Sequence, residues 1–302
     1  MSRIYHEAMD GELVFLTRGM PATAKSATPK SATTAAGLAV VLCAVMLCCA
    51  CSSAPRSATP APNDLSASSF EQIQTPLLIE LPAGKDLAIS NSFGDIHVRQ
   101  SADASVQMTL HLQRTPNSKA QARITRKTSG TSLELAVNTD QDKSRKEVLR
   151  IDLVVFVPPQ PQLELVTQHG AIDVRKIDNP LIDAASDSGE LVLTTRSVMR
   201  ARSKTGRIRA TIMQPGWSGE SRIASDSGPV QVFFPLSPNL HLLATSGASI
   251  HSEFQLDIKQ DGKGARVELD RGDGSDRLVI ASHRGEVQLY SVVFNPADYP
   301  GK

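Results

Sequence analysis

A glycine recurs along this chain at a nearly fixed interval, and each recurrence lies in the same apolar pattern. Successive glycines of the set are 76, 19, 17, 22, 19 and 38 residues apart, close to multiples of 19. Apolar side chains stand seven and five residues before most of these glycines, and two and four residues after them. The set comprises Gly94, Gly170, Gly189, Gly206, Gly228, Gly247 and Gly285. A period of this length is typical of repeated supersecondary units that share one core.

The alternation on both sides of each glycine predicts two β-strands joined by a tight turn of Ser or Thr plus Gly. Glycine supplies either the positive φ or the close backbone approach that such a corner needs. One unit alone cannot close a core, whereas stacked units bury their apolar side chains as ladders. The sequence therefore predicts an all-β chain, a β-solenoid with coils of about 19 residues, preceded by a more irregular β region.

Two positions depart from the frame. Ser221 replaces the apolar residue seven positions before Gly228. In the segment of Gly247 the apolar residue after the turn is Ile250, where Ser249 would align. This slip of one residue predicts a β-bulge.

The repeat resembles a bacterial β-strand-repeat family of unknown function whose label is "putative adhesin", often found on envelope lipoproteins. The resemblance is carried by residues 90–98 (SNSFGDIHV), 167–174 (TQHGAIDV) and 186–191 (SDSGEL), and it covers about residues 76–294. It implies a β-strand-repeat architecture and a noncatalytic role, because the family has no catalytic signature to transfer.

The N-terminal segment indicates export. Lys25 and Lys30 precede an apolar run at residues 36–50, which is too short to span a bilayer comfortably and is followed by small and polar residues. Residues 1–50 are therefore predicted to be a signal peptide, with Met20 as an alternative start. All four cysteines lie at positions 43–51, which excludes a disulfide framework, a Cys-ligated zinc site and a Cys nucleophile from the remaining sequence.

Residues 47–51 (LCCAC) resemble the lipobox of bacterial lipoproteins, although a Cys stands where Leu is usual. The resemblance implies lipidation at Cys51, with Cys49 as the rival site and a plain signal peptide with a soluble product as the alternative. Ser52, in place of the Asp that retains enteric lipoproteins in the inner membrane, favours the outer membrane. The predicted localisation is the cell envelope of a Gram-negative bacterium, with the lipid as membrane anchor.

The predicted organisation continues with a flexible Ser/Ala/Pro tether at 51–75, a β region at 76–160, the repeat at 161–294 and a tail at 295–302. Removal of residues 1–50 leaves 32 − 4 = 28 basic and 31 − 3 = 28 acidic residues, a formal charge of zero. A nucleic-acid binder normally has a basic excess, so that class is set aside. The histidines occupy different frame positions, and no metal or other cofactor is predicted.

Three motifs have both a chemical and a structural interpretation. Asp187 and Asp226 begin Asp-Ser-Gly triplets like those of aspartic proteases, but both fall on the repeat frame, which favours turn chemistry. Residues 270–276 (DRGDGSD) suggest calcium or integrin-type binding, and a solvated loop is preferred. Trp217 is interpreted as an apolar plug in preference to a ligand platform.

Charged residues recur at fixed frame positions and have two interpretations. Opposite charges such as Glu190 and Arg207 in adjacent units could fix their register. Alternatively, a basic stripe could bind an anionic glycan or lipid head group. The candidate binding face comprises Arg200, Arg202, Lys204, Arg207 and Arg209.

The favoured function is a noncatalytic, lipid-anchored envelope protein that binds an envelope glycan or a surface protein, or serves as a surface structure. The alternative is a polysaccharide-processing enzyme on a parallel β-helix, which would need carboxylates converging on one groove. Asp173, Asp187 and Asp226 side by side in a concave groove would favour the enzyme.

Overall fold

A computed structural model describes the backbone of residues 11–14 and residues 71–116, 121–140, 149–260 and 262–292. These residues form strands and turns without a helix, so the predicted all-β class is confirmed. Cys49, Cys51, the tail at 295–302 and most of the predicted signal peptide and tether lie outside the described residues. Residues 71–75, which the sequence assigns to the tether, lie in a strand.

Twenty-two strands are present in the described residues, numbered here in chain order. They are β1 Gly11–Val14, β2 Glu71–Ile79, β3 Asp86–Phe93, β4 Ile96–Gln100, β5 Val106–Arg114, β6 Gln121–Ser129, β7 Ser132–Asp140, β8 Leu149–Val157, β9 Leu163–His169, β10 Ile172–Ile177, β11 Leu181–Ser186, β12 Leu191–Thr195, β13 Val198–Ser203, β14 Ile208–Ile212, β15 Gly219–Ser225, β16 Val230–Phe234, β17 Leu240–Ser246, β18 Ile250–Ser252, β19 Lys259–Gln260, β20 Ala265–Asp270, β21 Asp276–Ser282 and β22 Val287–Ser291.

The strands form two large mixed sheets. The first sheet has twelve strands in the order β1-β6-β7-β3-β9-β11-β13-β15-β21-β17-β20-β19, and the second has ten in the order β18-β22-β16-β14-β12-β10-β4-β8-β5-β2. All neighbours from β7 to β17 and from β8 to β18 are parallel. Antiparallel strands lie at both ends of the first run and beyond β8 in the second, whereas β18 is the edge of its sheet. Removal of residues 1–50 would take away β1 and leave β6 as an edge strand of the first sheet.

The apolar columns predicted from the glycine frame are confirmed. Leu87, Leu163, Ile182 and Met199 are consecutive partners across the first sheet, and each is at most 1% exposed. Ile96, Ile172, Leu191, Ile208 and Val230 form the matching column of the second sheet and are fully buried. All belong to one hydrophobic cluster.

Stacking order and chain order differ at both ends of the parallel runs. The pair β21–β22 lies between β15–β16 and β17–β18, although it comes after both in the chain. Likewise β3–β4 lies between β7–β8 and β9–β10. The first and last units of the frame are therefore internal to the stack.

Asp276 ties strand β21 to the loops that precede its two neighbouring strands, β15 and β17. Its carboxylate is fully buried and accepts hydrogen bonds from the backbone N–H of Gly216 at 2.8 Å and of Ser218 at 3.0 Å. It also accepts the hydroxyl of Ser237. The loops before β15 and before β17 are thus tied to the strand between them, and Trp217, 7% exposed, packs at this junction as the apolar plug that the sequence predicts.

The bulge predicted at Gly247 is not what distinguishes that segment. Ser246 pairs with Ser282, and Ile250 pairs with Val287, so the turn is one residue shorter than in the neighbouring unit. As a result Ala244 and Leu242 take the frame positions that the sequence assigned to Leu242 and Leu240. All three side chains are buried, which is why the apolar pattern alone could not reveal the shift.

Close backbone approach explains the repeated glycine. A Cβ added to Gly189 would lie 1.6 Å from the carbonyl oxygen of Gly170, and one added to Gly206 would lie 2.0 Å from that of Gly189. Neither residue has a positive φ, so the left-handed conformation considered from sequence does not apply to them. The frame glycines of neighbouring units stack directly on each other except for Gly247, which lies against the carbonyl of His283.

A buried hydroxyl three residues before the glycine completes the turn. Ser186 accepts a hydrogen bond from the N–H of Gly189 at 2.9 Å and donates to the carbonyl of Gly170 at 3.0 Å. Ser282 repeats the arrangement with Gly285 and Gly228. Each hydroxyl thus provides an acceptor for the glycine N–H of its own turn and a donor for the glycine carbonyl of the neighbouring unit.

Candidate functional site

The five residues of the predicted basic face lie on opposite faces of the two-sheet body. Arg200 and Arg202 point outward from β13 in the first sheet, and Lys204 follows at the end of that strand. Arg207 directly precedes β14 and Arg209 lies in it, and both side chains are exposed on the second sheet. The turn at Gly206 carries the chain from one sheet to the other, so the five do not form one stripe.

On the first sheet, two of the three basic residues of the predicted face have acidic partners in the neighbouring unit, and Arg200 has no ion pair within 4.0 Å among the described residues. Arg202 pairs with Asp183 at 3.1 Å, and Lys204 pairs with Asp187 at 2.9 Å. The hydrogen bond and charge of Arg222, with further positive charge from Arg277 and Arg200, hold the pKa of Glu220 below its usual value. Of these pairs only Lys204–Asp187 joins residues that the charge pattern places opposite each other. Asp183 pairs with Arg202 and not with its register partner Arg200, and Arg222 pairs with Glu220 of its own strand.

On the second sheet, Arg207 and Arg209 are not engaged by a carboxylate in the described part of the chain. Glu190 is the neighbour of Arg207 across the strands, but no ion pair within 4.0 Å joins them, so the predicted pair does not form. The guanidinium of Arg209 lies 5.0 Å from the ring centroid of Phe233. Phe233 in turn stacks on Tyr290, with centroids 4.7 Å apart and ring planes 16° from parallel.

A row of amides lies beside this aromatic stack. Gln288 accepts hydrogen bonds from the amide of Gln231 at 2.7 Å and from the hydroxyl of Tyr290 at 2.8 Å. Its own amide donates to Glu286 at 2.8 Å. The hydrogen bond to Gln288 fixes the position of the Tyr290 ring, and Tyr290 in turn supports Phe233, which lies beneath Arg209. We call Arg207, Arg209, Phe233, Tyr290 and Gln288 the arginine–aromatic cluster.

Further along the same face, Asp173 is a buried carboxylate beside two arginines and a histidine. It is 8% exposed and pairs with Arg175 at 2.7 Å, Arg99 at 2.9 Å and His97 at 3.6 Å. Burial alone would raise its pKa, but the hydrogen bonds and charges of Arg175 and Arg99 outweigh burial and lower the pKa. The two arginines therefore stabilise the ionised form of this carboxylate.

The three carboxylates that would favour an enzyme do not meet. Asp173 lies on β10 in the second sheet, whereas Asp187 and Asp226 follow β11 and β15 in the first. Lys204 lies between Asp187 and Asp226 at the same position of the intervening unit, and it pairs with Asp187. Among the described residues no group of three or more His, Cys, Asp or Glu side chains could hold a metal ion, and no helix is long and apolar enough to cross a membrane.

The Arg-Gly-Asp triplet forms an exposed turn between β20 and β21. Gly272 has a φ of +58°, and a Cβ there would lie 2.1 Å from the side-chain oxygen of Asn239. Asp273 accepts a hydrogen bond from the N–H of Ser275 at 2.9 Å. Gly272 is thus required at the point where the chain passes the start of β17 before it enters β21.

Phe233 and Tyr290 were missed by the sequence interpretation, although a signal existed. Both stand five residues after a frame glycine, directly after the inward residue at four, and so must point outward. Their contact itself could not be predicted, because β16 and β22 are neighbours only through the insertion of β22 between β16 and β18. Asp276 had no comparable signal, because its partners come from loops outside the frame.

The chain matches no protein-family model and no curated protein. Among solved structures it is similar to a protein from Clostridium sporogenes described as a putative cell adhesion protein, with 12% identity, a TM-score of 0.43 and coverage of 74% of this chain and 100% of that one. It is also similar to a protein from Bacteroides fragilis described as a putative adhesin, with 11% identity, a TM-score of 0.33 and coverage of 74% and 98%. At these scores the function must be argued from this chain's own residues.

Proposed function

We propose that this protein is a noncatalytic, adhesin-like binding module of the bacterial cell envelope. In this proposal Cys51 carries a lipid in the outer membrane, and the two-sheet body acts as one flattened β-solenoid. The arginine–aromatic cluster on the second sheet binds acidic groups of an envelope glycan. A surface protein with an acidic patch is the second candidate ligand.

The observation that carries the proposal is the difference between the two sets of basic residues. On the first sheet Arg202 and Lys204 already pair with carboxylates and only Arg200 has no ion pair, so an anion that contacts two of these cations would have to displace a partner. Arg207 and Arg209 are exposed without such partners, and they lie two residues apart, about 7 Å along the chain. An acidic glycan can therefore gain two charge-assisted contacts there without breaking an ion pair.

Binding is tested by retention of the full chain on an insoluble acidic envelope glycan. Arg207→Glu with Arg209→Glu should lose at least about tenfold in affinity, a loss of 1.4 kcal/mol. Retention of the wild type should fall as salt rises, because the contacts are exposed. The matched control reverses two exposed arginines elsewhere, Arg266→Glu with Arg284→Glu, and should bind like the wild type.

A third variant decides between the two sheets. If Arg200→Glu with Arg202→Glu abolishes retention while the Arg207 and Arg209 variant binds normally, the ligand face is the first sheet and the proposal is wrong. Equal retention of all variants would exclude a site that depends on any of these arginines, and the proposal would be wrong.

The anchor is tested separately by metabolic labelling with a palmitate analogue. Cys51→Ala should abolish label, while Cys49→Ala should keep it. Label that persists in Cys51→Ala and disappears in Cys49→Ala would move the site. Absence of label in the wild type would mean that the chain is not lipidated.

A further inference from the structure

The outer face of the first sheet is divided into an acidic and a basic half. The acidic half comprises the outward carboxylates of β3, β7, β9 and β11 and of the turn after β11, namely Asp86, Glu134, Glu164, Asp183 and Asp187. The basic half comprises the outward cations of β13, β15 and β21 and of the turn after β13, namely Arg200, Arg202, Lys204, Arg222 and Arg277. These five cations outnumber the two carboxylates of this half, Glu220 on β15 and Asp226 in the turn after it. The boundary falls between β11 and β13, in the middle of eight parallel strands that run from β7 to β17.

We propose that a second copy of this chain docks on this face through a two-fold axis that runs parallel to the strands between β11 and β13. Such an axis lies in the plane between two facing sheets. It reverses the order of strands across the sheet but keeps each residue's position along its strand. Each half of one copy therefore faces the opposite half of the other, as a self-complementary interface requires.

The register determines which residues would face each other. Asp183 and Arg200 are partners on β11 and β13, with Glu164 and Arg222 one strand further out at the same position along the strands. The axis thus places Glu164 opposite Arg222 of the second copy and Asp183 opposite its Arg200. By the same rule Asp86 faces Arg277, and Asp187 faces Lys204. None of these four positions brings two like charges together.

Apolar residues on the face match in the same way. Leu181 faces Val198, Val166 faces Ala224, and Ala88 faces Val279 of the second copy. These side chains are half-buried in the single chain. Ala88 and Ser90 also line a depression of about 280 Å³, into which Val279 of the second copy would project. The facing apolar residues and the facing charges are therefore both compatible with the same two-fold axis.

The available area suits a stable dimer. Eight strands spaced about 4.8 Å apart span about 34 Å, and four outward rows cover about 20 Å along the strands. The face thus offers about 700 Å² per copy, close to the roughly 800 Å² of a standard specific interface. This dimer is independent of the proposed ligand and anchor, since it uses the first sheet and not the arginine–aromatic cluster.

Two differently tagged full chains expressed together provide the test. Wild-type chains should co-purify, whereas Glu164→Arg chains should not co-purify with each other, and neither should Arg222→Glu chains, because each pairing places like charges at both symmetry-related contacts. Glu164→Arg chains should co-purify with Arg222→Glu chains, because both contacts then join an acid to a base. We expect at least about a tenfold recovery in the mixed pair relative to either variant alone.

Arg284→Glu, an exposed reversal in the turn after β21, is the matched control and should co-purify like the wild type. If a variant melts far below the wild type, the experiment is repeated with Asp86→Arg and Arg277→Glu, which face each other under the same axis. Failure of wild-type chains to co-purify overturns the proposal. So does normal self-association of the single variants, or a mixed pair that is not restored.

Discussion

Replacement of Asp276 by Ala removes the group that holds β21 between two earlier strands. The carboxylate accepts backbone N–H groups at 2.8 and 3.0 Å from the loop before β15, and a hydroxyl from the loop before β17. No other described side chain accepts hydrogen bonds from both of these loops. The substitution therefore weakens the contacts on both sides of the inserted strand.

The magnitude follows from how exposed each donor is. Hydrogen bonds to a charged group each contribute about 1.5–3 kcal/mol, and a buried donor left without an acceptor costs about 1–3 kcal/mol. Gly216 and Ser218 are exposed residues, so water can reach their amides once the loop relaxes, whereas Ser237 is 1% exposed. We expect Asp276→Ala to lower the free energy of unfolding by about 2–4 kcal/mol, chiefly through Ser237 and the lost charge-assisted bonds.

Equilibrium unfolding in denaturant measures this loss. Asp276→Asn, which keeps one acceptor oxygen, should be less destabilised than Asp276→Ala. Asp273→Ala is the matched control, because that carboxylate lies three residues earlier in the exposed turn and accepts only from Ser275. If Asp276→Ala loses no more stability than the control, Asp276 does not hold the inserted strand.

Two further predictions concern the turn glycines and the buried carboxylate. Gly189→Ala should lower the free energy of unfolding by about 3–5 kcal/mol, because its Cβ would lie 1.6 Å from a backbone oxygen. Gly84→Ala, at a φ of +72° in open space, should cost only about 1–2 kcal/mol, and equal losses in the two variants would contradict the close-approach argument. The lowered pKa of Asp173 means that its ionised form stabilises the fold above the ordinary value of 3.8 and that this contribution is lost as pH falls through the lowered pKa. Wild type should therefore melt above Asp173→Asn at neutral pH, and the gap should close below about pH 3.8; a gap independent of pH would contradict this prediction.

The inward side of this fold could be predicted from the sequence, because burial imposes one residue type at each frame position. Leu163 and Ile172 could be placed in buried columns from spacing alone, and the structure pairs them with Leu87 and Ile96, 76 residues earlier. The period does not encode which unit contacts which, since any two units offer the same apolar surface. Stacking order depends on loop contacts such as those of Asp276, which have no period.

The candidate site was predicted less well for a different reason. Arg200 and Arg209 were grouped because they are near in sequence, but the turn at Gly206 sends them to opposite faces. The frame already contained this information, since strands on either side of the glycine belong to different sheets. The contact between Arg209 and Phe233 could not be predicted from the sequence. The long arginine side chain can reach residues on either of the two neighbouring strands, and only the structure shows that it lies over Phe233.

The most direct test of the proposed function is the dissociation constant of one defined acidic polysaccharide for the full chain at low and high salt. The wild type should bind more weakly as salt increases, and Arg207→Gln with Arg209→Gln should bind at least about tenfold more weakly than wild type at low salt. Neutral substitutions are used so that repulsion does not mimic a lost contact. Equal dissociation constants for wild type and variant, or wild-type binding that does not depend on salt, would contradict the account.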